Sequence, residues 1–216
     1  RLQVSYDKRY LEHRDGTPFL WLADTWWMGF CKRLPYPEGL RTLCENRVQQ
    51  GFSAVQLVAG LYPDMPWRDE RGQNEAGFPW DEGFSTINPG YFDHVDRRIE
   101  MILEHGLVPC ILGCWGYFVL WMGVEGMKRH WRNLVARYAA YPVVFSLAGE
   151  TVMPYYLSAA RERDTVAQRR DWTELARYVQ AIDPFDNPLT THPTRKGWEQ
   201  LEEPALMDFE MLQTGH

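Results

Sequence analysis

The stretch Leu107-Val108-Pro109-Cys110-Ile111-Leu112 begins the strand–helix–strand unit that decides the fold. A short apolar run of this length predicts a buried strand. Residues 123–141 follow with the spacing of an amphipathic helix, and Val143-Val144-Phe145-Ser146-Leu147 is a second apolar run. A strand, a helix and a strand in this order predict two parallel strands joined by a right-handed crossover.

The same unit recurs on both sides of this stretch. An N-terminal hairpin is predicted first, with arms at 9–13 and 19–22, and its second arm continues into Ala23-Asp24-Thr25-Trp26-Trp27. Further strands are predicted at 52–58, 188–191 and 206–212. Helices are predicted at 37–50, 89–105 and 169–182, with a short one around Trp198, so that strands and helices alternate along the chain.

Two architectures have this alternation, the doubly wound sheet and the (β/α)8 TIM barrel. A doubly wound sheet usually has a glycine-rich phosphate loop after its first strand, whereas here that strand ends in Asp24-Thr25-Trp26-Trp27. The α/β class with a (β/α)8 TIM barrel is therefore favoured, and residues 1–22 form an N-terminal β-hairpin. Because a barrel needs eight strands and typically about 250 residues, the last one or two βα units are expected to be missing from this sequence. Residues 1–216 are expected to form a single catalytic barrel domain.

Composition disfavours several classes of partner. The net charge is −6 and there is no dense basic run, which disfavours nucleic acid and anionic membrane surfaces. No apolar stretch approaches the roughly 20 residues that a membrane span needs. The four cysteines lack the paired spacing of a zinc site, so we expect free, mostly buried thiols and neither a metal nor another cofactor.

The sequence leaves the compartment and the oligomeric state open. It begins at Arg1 rather than at a methionine and shows no signal peptide. Cytoplasmic, periplasmic and secreted locations are therefore all compatible with it.

Polar and aromatic side chains follow almost every predicted strand. Since the active sites of TIM barrels lie at the C-terminal ends of the strands, these side chains are candidates for one site. Amides, carboxylates and imidazoles bind hydroxyl groups, and indole faces stack on the C–H surface of a sugar, so a carbohydrate is the predicted partner. The predicted substrate-binding residues are Asp24, Trp26, Trp27, Gln56, Trp115, His192, Gln213 and His216. The long loop 59–89 is predicted to cover the site.

Glu150 is the predicted catalytic residue. Cleavage of a glycosidic bond commonly uses two carboxyl groups, one of which gives a proton to the leaving oxygen. Glu150 follows the fourth predicted strand directly, and Gly149 lets the backbone come close. A second carboxylate is harder to find, because strand alternation would turn Asp208 and Glu210 away from the face of Gln213.

Two alternatives to a glycoside hydrolase stay open at this point. The first is a non-catalytic sugar-binding barrel, which would keep the aromatic side chains without a working pair of carboxylates. The second is a metal-dependent hydrolase or isomerase using Glu150, His192 and His216, although no closely spaced pair of histidines supports it.

Three stretches resemble the apiosidase-like glycoside hydrolases of bacterial carbohydrate-utilisation genes. They are Phe19-Leu20-Trp21-Leu22-Ala23-Asp24-Thr25-Trp26-Trp27, Asn88-Pro89-Gly90-Tyr91-Phe92-Asp93-His94-Val95-Asp96 and Met211-Leu212-Gln213-Thr214-Gly215-His216. The resemblance covers residues 8–216, and it implies a barrel enzyme that degrades a polysaccharide.

The resemblance also implies a mechanism. The acid/base carboxylate of the family follows strand four, where this chain has Glu150, and the nucleophilic glutamate follows strand seven, which would lie beyond His216. The family implies retention of configuration through a covalent glycosyl-enzyme, with the two carboxyl groups about 5 Å apart. Members often carry Gly-Gly-Asp where this chain has Ala148-Gly149-Glu150, and the longer glutamate reaches about one methylene further.

Overall fold

The computed structural model describes residues 1–61 and 68–214. By their internal contacts these residues form two compact units, 1–111 and 112–216, and each is described by itself. The chain opens with a three-stranded antiparallel sheet, and parallel strands follow it in both units. The expected single domain over 1–216 stays a prediction.

The first unit opens with the predicted hairpin, which is confirmed and has one additional strand. β1 (Leu2–Val4) pairs antiparallel with β2 (Leu11–His13), and β2 pairs antiparallel with β3 (Pro18–Phe19). A turn closes the hairpin where Gly16 adopts φ 86°, a conformation that glycine adopts without a Cβ clash.

Parallel strands and helices make up the rest of the first unit. The strands are β4 (Ala23–Thr25), β5 (Ala54–Val58) and β6 (Val108–Leu112), and the helices are α1 (Glu38–Gln49) and α2 (Pro89–Glu104). β4 pairs with β5 in parallel. The α2 helix begins where predicted, because the Asn88 side chain accepts a hydrogen bond from Tyr91 N and Pro89 occupies the first turn.

The second unit contains α3 (Phe118–Tyr138), β7 (Val144–Gly149), α4 (Arg161–Ile182) and β8 (Leu189–His192). β7 and β8 are parallel, and their register shifts between Ser146 and Gly149. Both helices begin earlier than predicted, α3 by five residues and α4 by eight. Gly123 interrupts α3 with φ 70°, which accounts for the later start predicted there.

The predicted sixth strand at 206–212 is wrong. Residues 204–206 form a short 3-10 helix instead, and beside β8 a backbone bond from Asp208 N to Leu189 O at 2.8 Å is accompanied by side-chain bonds. The Asp208 carboxylate accepts from Leu189 N at 2.7 Å, and the Thr190 hydroxyl donates to Phe209 O at 2.8 Å. An apolar run cannot distinguish a strand from a segment held by such side-chain bonds.

All four cysteines are free and buried, as predicted. Burial raises the pKa of Cys31 and of Cys44 to about 11, which keeps both thiols protonated at neutral pH. Burial also raises the pKa of Cys110 and of Cys114.

Candidate active site

Glu150 lies at the C-terminal end of β7 with three of the other predicted residues around it. Its exposed fraction is only 8%. Trp115 Nε1 donates to Glu150 Oε2 at 3.3 Å, and Gln213 Nε2 approaches Glu150 Oε1 at 3.5 Å. The ring centroids of His192 and Trp115 lie 6.3 Å apart. The second unit therefore brings together Glu150, Trp115, Gln213 and His192.

The backbone of Glu150 is in the left-handed region, with φ 43°. For a residue with a Cβ this conformation costs on the order of 1–3 kcal/mol, and it persists only where the surroundings enforce it. Such residues concentrate at active sites, where the strain fixes the direction of a side chain. The conformation of Glu150 thus marks the end of β7 as a candidate functional site.

Two buried amides hold the segment that follows Glu150. Gln200 Oε1 accepts from Val152 N at 3.0 Å, and Gln168 Nε2 donates to Met153 O at 2.9 Å. Gln168 and Gln200 are 0% and 3% exposed, so water does not compete for these bonds. Neither glutamine is among the site residues predicted from the sequence. The available signal was Gln168, which continues the apolar stripe of α4 four residues before Trp172.

Glycines position Trp115 against Glu150. A Cβ on Gly149 would lie 2.3 Å from the Trp115 ring, so the ring can occupy its place only because residue 149 is glycine. Backbone bonds from Gly116 N to Gly149 O at 2.8 Å and from Gly149 N to Cys114 O at 2.9 Å join the two loops. Trp172 Nε1 also donates to Gly116 O, at 2.9 Å.

Asp24, in the first unit, already has hydrogen-bond partners. Its Oδ2 accepts from Arg47 Nε at 2.5 Å and from Trp26 Nε1 at 2.9 Å, while Oδ1 accepts from Thr25 N. Burial opposes ionisation of Asp24, but the bonds from Arg47, Trp26 and Thr25 outweigh it and lower its pKa. In this structure the carboxylate orients the Trp26 indole, and its predicted contact with substrate stays a prediction.

Trp26 and Trp27 line a cavity of about 230 Å³ together with Met28 and Arg33. The cavity lies within the first unit, directly after β4. Trp26 N donates to Gln56 O at 2.8 Å, and Gln56 Oε1 is buried with no hydrogen-bond partner among the described residues. A buried amide oxygen without a partner can accept a bond from a ligand hydroxyl.

Three further residues considered in the sequence are His216 and the carboxylates Glu210 and Asp208. His216 lies outside the described residues. Glu210 Oε1 accepts from Trp198 N at 3.1 Å. Burial raises the pKa of Asp208, although the bond from Leu189 N acts in the opposite direction. Both carboxylates therefore bind backbone N–H groups.

His130 holds the loop that carries Trp115, and it gives the protein a predicted pH dependence. Its Nε2 donates to Gly113 O at 2.6 Å, and burial lowers its pKa to about 4 despite that bond. An unfolded histidine titrates near pH 6.5, so the unfolded chain binds more protons between pH 6.5 and 4. We expect the free energy of unfolding to fall through this window by on the order of 3 kcal/mol from His130.

Urea unfolding at several pH values checks this expectation. His130→Gln keeps a donor for Gly113 O and should have a flatter stability profile below pH 6.5 than the wild type. His105→Gln, at a partly exposed position, is the matched control and should keep the wild-type slope. Parallel profiles for His130→Gln and the wild type would contradict a buried neutral imidazole.

No group of three or more His, Cys, Asp or Glu side chains is arranged to hold a metal ion in residues 1–61 and 68–214. In the same ranges, none of the helices combines the length and the apolar character that crossing a membrane requires.

Solved structures share this fold. A protein described as a glycoside hydrolase superposes with a TM-score of 0.78 and 26% identity, over 100% of this chain and 46% of its own. A family 5 glycoside hydrolase from Bacteroides vulgatus superposes with a TM-score of 0.77 and 24% identity, over 100% of this chain and 44% of its own. A family 5 mannosidase from Rhizomucor miehei superposes with a TM-score of 0.64 and 12% identity, over 89% of this chain and 55% of its own. The chain therefore has the TIM-barrel fold of glycoside hydrolases, as predicted, and spans less than half of the first two relatives.

The family is defined by the sequence itself. Residues 5–216 match the family described as "Apiosidase-like, catalytic domain". The chain belongs to this family, which confirms the resemblance found in its sequence motifs. No curated protein sequence matches the chain.

Proposed function

We propose that the protein containing this chain is a retaining glycoside hydrolase and that Glu150 is its acid/base residue. One observation carries the proposal: a buried glutamate in a left-handed conformation, aimed at an indole N–H at the end of a parallel strand. The family to which the chain belongs supports the same reaction class.

Glu150 acts twice in the proposed mechanism. As an acid, its carboxyl gives a proton to the leaving oxygen while the glycosidic bond breaks. As a base, the resulting carboxylate takes a proton from the water that releases the sugar. The Trp115 indole and Gln213 amide donate to separate oxygens of Glu150, so that they keep the carboxyl pointing in one direction in both steps. We place the nucleophilic carboxylate after His216, as the family resemblance implies.

The name of the family points to the sugar to test first. We propose a terminal apiosyl residue as the group that is transferred, because the family is described as apiosidase-like. In the second unit, Trp115 is proposed to pack against the sugar, and His192, Gln213 and His216 are proposed to bind or orient its hydroxyl groups. In the first unit, Asp24, Trp26, Trp27 and Gln56 remain proposed substrate-binding residues.

Hydrolysis of 4-nitrophenyl apioside by the complete protein tests the proposal. Proton NMR of the first product should show apiose with the configuration of the substrate, and 4-nitrophenyl mannoside should react far more slowly. A first product of inverted configuration would contradict retention. Saturable binding of methyl apioside without turnover of any apioside would instead support the non-catalytic sugar-binding barrel.

A further inference from the structure

A second set of aromatic rings lies in the two loops that carry Trp115 and Glu150. We call it the aromatic platform, and it consists of Tyr117, Phe118, Trp121, Tyr155 and Tyr156. The Trp121 ring lies 5.0 Å from Tyr117, 5.1 Å from Phe118 and 5.0 Å from Tyr155, measured between centroids. Tyr117 and Tyr155 are 5.3 Å apart, and Tyr156 lies 6.3 Å from Tyr155. Trp121 is therefore at the centre of the platform.

The platform has a buried base and an exposed face. Tyr117 and Phe118 are each only 2% exposed, so they support the other rings from below. Trp121 is 38% exposed and Tyr156 is 46% exposed. Several large rings left partly open to solvent in one place mark a binding surface more often than scattered apolar residues do.

A break in α3 separates the platform residues of this helix from its later turns. Gly123 has φ 70° and ψ 162°, which interrupts the helix after residues 118–122. The short segment before the break carries Phe118 and Trp121, whereas the helix after it contributes Met127 and Trp131 to the core. Trp121, in the segment before the break, packs on Tyr155 of the neighbouring loop.

Chain connectivity places the platform beside Glu150. Tyr117 follows Trp115 by two residues, so their Cα atoms are at most about 7 Å apart. Gly116, between them, packs so tightly under the next loop that a Cβ there would lie 2.6 Å from Glu150 O. Tyr155 is on that same loop, five residues after Glu150. The platform is thus continuous with the segment that positions the proposed acid.

We propose that the aromatic platform binds the second sugar of the substrate, on the leaving-group side of the scissile bond. The inference rests on the proposed function, because an acid that protonates the leaving oxygen must face the leaving group. Rings already packed against one another lose little conformational freedom on binding, and their faces attract the C–H surface of a neutral sugar. Trp121 would carry most of the contact, since it touches three other rings and remains exposed.

Two ligands that share the apiosyl residue test the platform. Methyl apioside has one ring, and an apiosyl-glucose disaccharide adds the second. Calorimetric titrations use the complete protein with Glu150→Gln, which prevents hydrolysis, and then the same protein with Trp121→Ala added. We expect Trp121→Ala to lower the affinity for the disaccharide by about tenfold and to leave the affinity for methyl apioside unchanged. Trp121→Phe, which keeps a ring, should restore most of the difference.

A second exposed tryptophan of the same unit provides the control. Trp198 is 46% exposed and contacts Lys196 rather than the platform. Trp198→Ala should leave the affinities of both ligands unchanged. The platform proposal would be overturned if the Glu150→Gln protein bound the disaccharide no more tightly than methyl apioside, or if Trp121→Ala weakened the binding of both ligands equally. If the wild-type protein hydrolyses the disaccharide but binding shows no preference that depends on Trp121, the proposed function stands and the platform proposal fails. If binding shows that preference but the wild-type protein hydrolyses no apioside, the proposed function fails and the platform proposal stands.

Discussion

Replacing Glu150 by glutamine should lower kcat/KM for an apioside with a sugar leaving group by about 10²- to 10⁴-fold. The amide has nearly the same size, and its oxygen can still accept the bond from Trp115 Nε1. It has no acidic proton for the leaving oxygen, so the loss should fall on kcat, with sugar binding retained. Steady-state kinetics on the disaccharide and calorimetry with methyl apioside measure the two effects separately.

Apiosyl fluoride distinguishes loss of the acid from loss of the fold. Fluoride leaves without protonation, and added azide replaces the water that Glu150 would activate. The Glu150→Gln variant should therefore convert apiosyl fluoride to apiosyl azide at a rate close to that of the wild type. Glu203→Gln, which alters an exposed ion pair with Arg177, is the matched control and should keep full activity. Near-normal turnover of the disaccharide by Glu150→Gln would remove Glu150 from the mechanism.

Gly149→Ala should lower kcat/KM by about 10- to 100-fold, although residue 149 contributes no side chain to the site. The new Cβ would lie 2.3 Å from two carbons of the Trp115 ring, so the ring must move and its N–H leaves Glu150 Oε2. Crowding of this kind costs about 1–3 kcal/mol of stability. Kinetics together with urea unfolding measure both losses on the same preparation.

Gly83→Ala is the control for this prediction, because a Cβ at residue 83 meets no atom within 4 Å. It should leave the free energy of unfolding close to that of the wild type, so that a loss of stability in Gly149→Ala can be assigned to the contact with Trp115. If Gly149→Ala is folded and fully active, the position of the Trp115 indole does not matter to catalysis. That result would leave the left-handed conformation of Glu150 without the role assigned to it.

The sequence was sufficient for the parallel strands and for Glu150. Apolar runs such as Val144–Gly149 are buried on both faces, so they stand out without any knowledge of their neighbours. The residue after such a run lies at the C-terminal end of a strand, which is where barrel enzymes place their chemistry. Position along the chain therefore predicted that Glu150 follows the end of this strand, where it lies, although it gave no sign of the left-handed backbone.

The sequence was not sufficient where a distant partner decides the structure. Residues 206–212 have the composition of a strand, yet they form none, and side-chain bonds of Asp208 and Thr190 add to the backbone bond from Asp208 N to Leu189 O. Asp24 looked like a ligand for hydroxyl groups, but its orientation depends on Arg47, 23 residues further along the chain. The first eight residues of α4 have few apolar positions and were missed, and with them the role of Gln168.

The buried cysteines can report on local unfolding, because both units contain at least one of them. Cys31, Cys44 and Cys110 lie in residues 1–111, whereas Cys114 alone lies in 112–216. Each thiol is shielded and protonated in the native state, so an alkylating reagent reacts only with molecules that have transiently opened. The order in which mass spectrometry finds the four sites modified then ranks the opening rates of the two units, without any engineered label.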